Sequence, residues 1–452
     1  MLLNLREVEL VIACAVNSLL YWEAILNRRD KSLCVADVAM KLLVCFLVGL
    51  CLGNLLYVPM PADMTSHFEF YWKTVGFHCA TYVMYLKSIF LGGSKIDFSV
   101  LQFGLNALTT AWKLNEGQSP GSKVTLEDTT IAGVRVLFYQ QKEGQSANRP
   151  AFIFLHGGGL TIGSVDIYEL ATRETAESLN DAVLLSVDYR LAPEHPFPAA
   201  YDDGVAVTKW VLSHPEDFGV DPARVAVGGD SAGGYLAAAV SQAIYDDPVL
   251  PNIKLQILLF PWLQHFDFHT PSYQKNRHFF GTKTWIPNYI TGYTFSAYYN
   301  GVLNDTLVPK MMANNHTSAS FKNSPMYRRT FDHALIPEEF RDQAYYTPSP
   351  RNDFGDDALW SELNSTLTDT RFSPILRANM TGLPAAYVAT CGYDPLRDDG
   401  IFFYRRLQAD KVPAEWVNYE DAFHGVDWFG PMPSPTGRRL REGFIHYLNT
   451  HL

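Results

Sequence analysis

Five consecutive residues, Gly229-Asp230-Ser231-Ala232-Gly233, have the makings of a nucleophile. An apolar run, Val225-Ala226-Val227, leads into them, and small helix-forming residues follow over 235–240. Strand, sharp turn and helix in that order lift a serine hydroxyl off the sheet edge and aim the N–H groups of the new helix at whatever the serine attacks. The glycines two before and two after Ser231 let strand and helix approach closely. The pattern alone is common by chance. A serine hydroxyl is also a weak nucleophile until a base, an orienting acid and an oxyanion site accompany it.

Each of these has a candidate. Asp394 lies just past the apolar run 385–390, with Asp398 and Asp399 as nearby rivals. His424 follows the next strand-like run, 414–419. It outranks His446 and His451, which fall in or beyond the last predicted helix. His156-Gly157-Gly158-Gly159 ends the short apolar run 151–155, and its glycines leave backbone N–H groups free to turn inward. The chemistry is acyl transfer. His424 takes the Ser231 proton and returns it to the leaving group, while Asp394 fixes the histidine tautomer. The chain order serine, aspartate, histidine is that of α/β-hydrolases.

The elements that must position these residues alternate. Strands are expected at 130–140, 151–155, 182–187, 224–227, 253–260, 385–390 and 414–419, and helices at 168–179, 202–213 and 438–449. Short, wholly apolar strands between helices predict a mostly parallel central sheet covered on both faces. The fold class is therefore α/β. The rhythm breaks over 265–380, a stretch too long for a structureless loop and read as a helical cap insertion over the catalytic end of the sheet. The expected organisation is a tail or extra hydrophobic segment at 1–39, a membrane anchor at 40–60 and an N-terminal helical region at 61–125. The hydrolase core then spans 126–264 and 381–452, with the cap between its two parts.

Composition limits the function. A net charge of −11 and the lack of a basic patch exclude a nucleic-acid partner. HExxH and paired CxxC are absent and no histidine spacing suits a metal, so no metal is expected; no GK[ST] or GxGxxG supports a nucleotide, so no cofactor is expected. The six cysteines among 452 residues are too few for a disulfide scaffold. The stretch 42–60 carries no charge and is long enough to cross a bilayer as a helix. Arg28, Arg29, Lys31 and Lys41 precede it and Asp63 and Glu69 follow it, which predicts a single-pass type II topology. A second apolar stretch at 10–22 leaves a further span open. Asn304, Asn315, Asn364 and Asn379 head glycosylation sequons and agree with a lumenal domain.

The motifs together resemble the hormone-sensitive-lipase group of α/β-hydrolases. They are the His156 to Gly159 loop, Asp188-Tyr189-Arg190-Leu191-Ala192-Pro193-Glu194, the Ser231 turn, Asp394-Pro395-Leu396-Arg397-Asp398-Asp399-Gly400 and Phe423-His424-Gly425. Tyr57-Val58-Pro59-Met60-Pro61 behind an apolar stretch resembles the arylacetamide deacetylase-like branch. The resemblance implies Ser231, Asp394 and His424 as the triad, and Gly158, Gly159 and Ala232 as the oxyanion N–H donors. It implies structural ion pairing for Asp188, Arg190, Glu194 and Asp202, with Asp230 among them. It also implies an endoplasmic-reticulum membrane location with the catalytic domain lumenal, and a lipophilic ester substrate. Two departures stand out. Thr161 occupies the place of a cysteine that would pair with Cys391, which leaves Cys391 free or paired with Cys79, and Leu160 replaces an aromatic. The leading expectation is a carboxylesterase or deacetylase acting on small-acyl esters, with arylamides also open. A neutral-lipid lipase and a non-catalytic binding or adhesion protein are the alternatives.

Overall fold

The computed structural model describes residues 58, 60–61, 63–92, 97–116, 121–143, 147–276, 286–341, 343–348, 354–426 and 434–452. Among the described residues two helices come first, α1 (His67–Leu91) and α2 (Phe98–Glu116). The strands β1 (Val124–Ile131) and β2 (Val134–Gln141) then form an antiparallel hairpin. The predicted single strand over 130–140 is thus two strands. Ala132 and Gly133 turn between them with φ of 51° and 84°, the doubly positive geometry of a tight hairpin turn.

The remaining chain supplies β3 (Arg149–Leu155), α3 (Val165–Ser178), β4 (Val183–Val187), α4 (Ala199–Ser213), β5 (Val220–Asp230), α5 (Ala232–Tyr245) and β6 (Leu255–Leu259). After the cap come β7 (Ala385–Tyr393), a helix at Arg397–Ala409, β8 (Ala414–Phe423) and a closing helix at Pro435–His451. The sheet order is β1-β2-β4-β3-β5-β6-β7-β8. Pairing is antiparallel for β1 with β2 and β2 with β4, and parallel from β4 to β8. Every residue of β4 and β6 is buried, as strands covered on both faces must be. One core cluster gathers side chains of α4, α5 and the 397–409 helix; the other gathers α3 and the closing helix. Ser164 caps α3 by accepting the Ile167 N–H, and Ser434 caps the closing helix by accepting that of Gly437.

Between β6 and β7 lies the helical cap. Its described helices are Pro271–Asn276, Ile286–Asn300, Leu307–Met312, Ala319–Lys322, Pro325–Phe331, Glu338–Arg341 and Asp357–Leu367. Aromatic rings fasten it to the sheet domain. Phe372 packs on Phe197, His265, Phe295 and Tyr298, with centroids 4.9–5.6 Å away.

The membrane reading needs correction. Among the described residues no helix is long and apolar enough to cross a membrane. The described residues therefore give no support to the expected N-terminal anchor, nor to the type II topology, the endoplasmic-reticulum membrane location and the membrane partner that rested on it. The stretches 1–39 and 40–57 on which those expectations rested lie outside the described residues.

Candidate active site

β5 ends at Asp230 and α5 begins at Ala232, so Ser231 sits alone on the turn between them, half-buried. Its backbone has φ 53° and ψ −118°, a conformation that costs a non-glycine residue about 1–3 kcal/mol. Three bonds impose it. The Ser231 N–H donates to the Leu259 carbonyl at 2.8 Å, and the Ser231 carbonyl accepts from Trp262 at 3.0 Å and Tyr235 at 3.2 Å. The flanking glycines are steric requirements. A Cβ on Gly229 would lie 2.2 Å from the Leu155 carbonyl oxygen, and one on Gly233 only 1.9 Å from it.

The Ser231 Oγ lies 2.9 Å from His424 Nε2, and His424 Nδ1 lies 2.9 Å from Asp394 Oδ2. Asp394 is fully buried. Its second carboxylate oxygen accepts the Leu396 N–H at 2.7 Å, while Asn276 Nδ2 donates to the Asp394 carbonyl at 3.0 Å. Burial of the His424 imidazole works to lower its pKa. The charge of Asp394 and its hydrogen bond, helped by the charge of Asp230, outweigh that and hold it above 6.5.

The rivals face elsewhere. Asp398 pairs with Arg397 at 2.8 Å and accepts the Ser272 N–H. Asp399 accepts from Leu263 and from Gln264, which ties the loop after β6 to the helix at Arg397–Ala409.

The glycine loop after β3 approaches the same point. Gly158, Gly159 and Leu160 have φ of 119°, 61° and 63°. The Gly158 carbonyl is occupied by the N–H groups of Thr161 and Ile162 and by the Thr161 hydroxyl. Thr161 thus has a structural use of its own where the resemblance implied a missing cysteine. Among the described residues no protein acceptor takes the N–H of Gly158 or Gly159. The Ala232 N–H opens α5 and lacks an intrahelical acceptor. Gly159 also leaves room for the cap, since a Cβ there would meet Thr294 Cγ2 at 2.7 Å.

Sequence reasoning missed how this loop is held. Asp230 was grouped with structural ion pairs, but it accepts the Gly157 N–H at 2.8 Å and the Tyr168 hydroxyl at 2.9 Å. Burial raises its carboxyl pKa to about 7. Tyr168 is 62 positions away on α3, and no motif advertises it. Arg190 pairs with Asp203, not Asp202, and Asp188 reaches Arg135; Glu194 is exposed.

Cys79 is exposed and Cys391 buried, and both are free. Of the sequon asparagines, Asn379 is exposed, whereas Asn364 spends its amide N–H on the Trp360 and Ser361 carbonyls inside a helix. Asn304 caps the turn into Leu307–Met312, and the Thr317 of the Asn315 sequon is buried.

This arrangement can deprotonate a hydroxyl, present it to a carbonyl carbon and receive the resulting oxyanion on backbone donors. Comparison with known proteins agrees. A family model described as the alpha/beta hydrolase fold matches residues 152–323 and 310–427. Arylacetamide deacetylase of Bos taurus is 33% identical, over 90% of this chain and 98% of its own. Neutral cholesterol ester hydrolase 1 of Bos taurus is 32% identical, over 93% and 100%. Among solved structures, a thermostable carboxylesterase from a metagenomic library superposes with a TM-score of 0.57 at 26% identity, covering 79% of this chain and 98% of that one.

Proposed function

Because the chain belongs to the arylacetamide deacetylase-like branch of the hormone-sensitive-lipase group of α/β-hydrolases, we propose that it cleaves small-acyl esters of lipophilic compounds through an acyl-Ser231 intermediate. That it is a serine hydrolase with esterase activity follows from the fold and the relatives. The acyl-Ser231 mechanism rests on one observation, the continuous contact from Ser231 Oγ through the His424 ring to Asp394, and the small-acyl preference on the likeness to arylacetamide deacetylase.

Ser231 Oγ attacks the ester carbonyl carbon while its proton passes to His424 Nε2. The carbonyl oxygen becomes an oxyanion held by the N–H groups of Gly158, Gly159 and Ala232. Collapse breaks the bond to the alcohol oxygen, which takes the proton from His424. Water then attacks the acyl-serine and gives a proton to His424, and the acid leaves as Ser231 recovers that proton. Asp394 accepts the Nδ1–H throughout and stabilises the imidazolium.

A series of p-nitrophenyl esters from acetyl to palmitoyl tests the substrate class. The reading predicts fastest turnover of the short esters and background rates for Ser231→Ala. Turnover rising toward palmitoyl would favour the second reading, a neutral-lipid hydrolase, which the relative neutral cholesterol ester hydrolase 1 supports.

A further inference from the structure

His424 occupies a short turn, and its position depends on what holds the peptides on either side. The described turn closes on itself through the Val426 N–H to the Phe423 carbonyl, at 3.2 Å. Phe423 also pairs with Tyr393 of β7 and the Phe260 ring packs against His424, and further support comes from α1, more than 350 positions earlier in the chain. Phe70 meets the Phe423 ring edge-on with centroids 5.1 Å apart. The Lys73 ammonium stands 5.4 Å over the same ring and donates to the Gly425 carbonyl at 2.9 Å. Residues 423 and 425 are thus both gripped by one helix, with His424 between them.

The grip continues upstream of α1. The Tyr393 hydroxyl, one residue before Asp394, bonds the Asp63 carboxylate. Thr65 bonds Asp421 and Thr436, and the Ser66 hydroxyl lies 2.7 Å from that of Ser434. Eleven residues, 63–73, therefore touch the strand end that carries the acid, the loop that carries the base and the cap of the closing helix.

We propose that this segment braces the acid–base pair from outside the sheet, with Lys73 as the positioning residue for His424. Lys73 is held in turn by Glu69 one helical turn earlier, the two side chains being 10% and 2% exposed. A buried ion pair contributes little net stability, because desolvation offsets the attraction. Its use here is geometric: Glu69 fixes the ammonium, and the ammonium fixes the Gly425 peptide plane. A shift of about 1 Å in a base can cost on the order of 100-fold in rate, so a loosened turn reports in kcat. The proposal rests on His424 serving as the base for Ser231.

The test is the kinetics of p-nitrophenyl acetate hydrolysis by the full chain carrying Lys73→Met, Lys73→Arg or Glu69→Gln. The brace predicts that Lys73→Met lowers kcat about 10-fold or more, with KM within about twofold. Lys73→Arg, which keeps a donor and a charge, should recover most of that loss. The rate of fluorophosphonate labelling should fall with kcat, although every folded molecule is labelled in the end. Wild-type kcat in Lys73→Met would overturn the proposal, as would equal losses in the Met and Arg variants. If Lys73→Met does not accumulate folded, Glu69→Gln decides alone: reduced kcat at unchanged KM supports the brace, and wild-type kcat overturns it. Ser231→Ala separates the two levels. An active Ser231→Ala sinks the hydrolase reading and the brace with it, whereas an inactive Ser231→Ala beside a fully active Lys73→Met sinks the brace alone.

Discussion

In the proposed mechanism the imidazole of His424 must be neutral to accept the Ser231 proton, and the Asp394 carboxylate keeps its pKa above 6.5 despite burial. The acidic limb of kcat/KM should therefore fall above pH 6.5. Asp394→Asn should lower kcat by about 10³–10⁴-fold by releasing the tautomer, with the limb shifted to lower pH; a pH–rate profile of both proteins reads this. Asp230 gives a separate test. Its folded carboxyl titrates near 7, against about 4 in an unfolded chain. The folded state holds the extra proton between these values, so this group's stabilisation is complete below about pH 4 and lost as pH rises through 7. Asp230→Asn keeps the shape and removes the titration. Urea unfolding at pH 5 and pH 8 should show the variant gaining on the wild type at the higher pH, and parallel curves would refute it. The Ser231, Asp394 and His424 arrangement was legible because each residue sits directly after a strand end, in a diagnostic chain order. Tyr168 and Lys73 were not, since their contacts to Asp230 and to the His424 turn span the fold and leave no pattern in the chain.

Among the elements, the crossing of β5 and α5 beside β3 is the tightest. The Gly233 Cα faces the Leu155 carbonyl so closely that one methyl group cannot enter. Gly233→Ala should destabilise the protein by about 3 kcal/mol, seen as a lowered unfolding midpoint. An unchanged midpoint would mean that the turn is looser than its geometry implies. The parallel strands could be read from their short apolar runs, because strands covered on both faces leave that signature. The β1–β2 hairpin could not. Ala132-Gly133 is a weak turn signal, and the alternation through 130–140 runs on across the turn. The cap was legible mainly as a break in rhythm, since most of its described helices are short and tertiary aromatic contacts fasten it.

At the scale of the whole molecule, cap and sheet domain share one aromatic cluster around the fully buried Phe372. They should unfold as a unit. Phe372→Ala, expected to cost about 3–5 kcal/mol, should lower a single calorimetric transition without splitting it, and two resolved transitions would show the cap to be independent. Hydropathy and flanking charge suggested an anchor at 40–60, but no described helix is long and apolar enough to cross a membrane, and 40–57 lie outside the described residues. The account as a whole turns on Ser231 being the atom that is acylated. Intact-mass measurement after a fluorophosphonate, followed by peptide mapping, tests this most directly. The prediction is one adduct per chain, on Ser231, slowed in His424→Ala and absent in Ser231→Ala. Equal labelling of Ser231→Ala, or an adduct mapped to another residue, would contradict it.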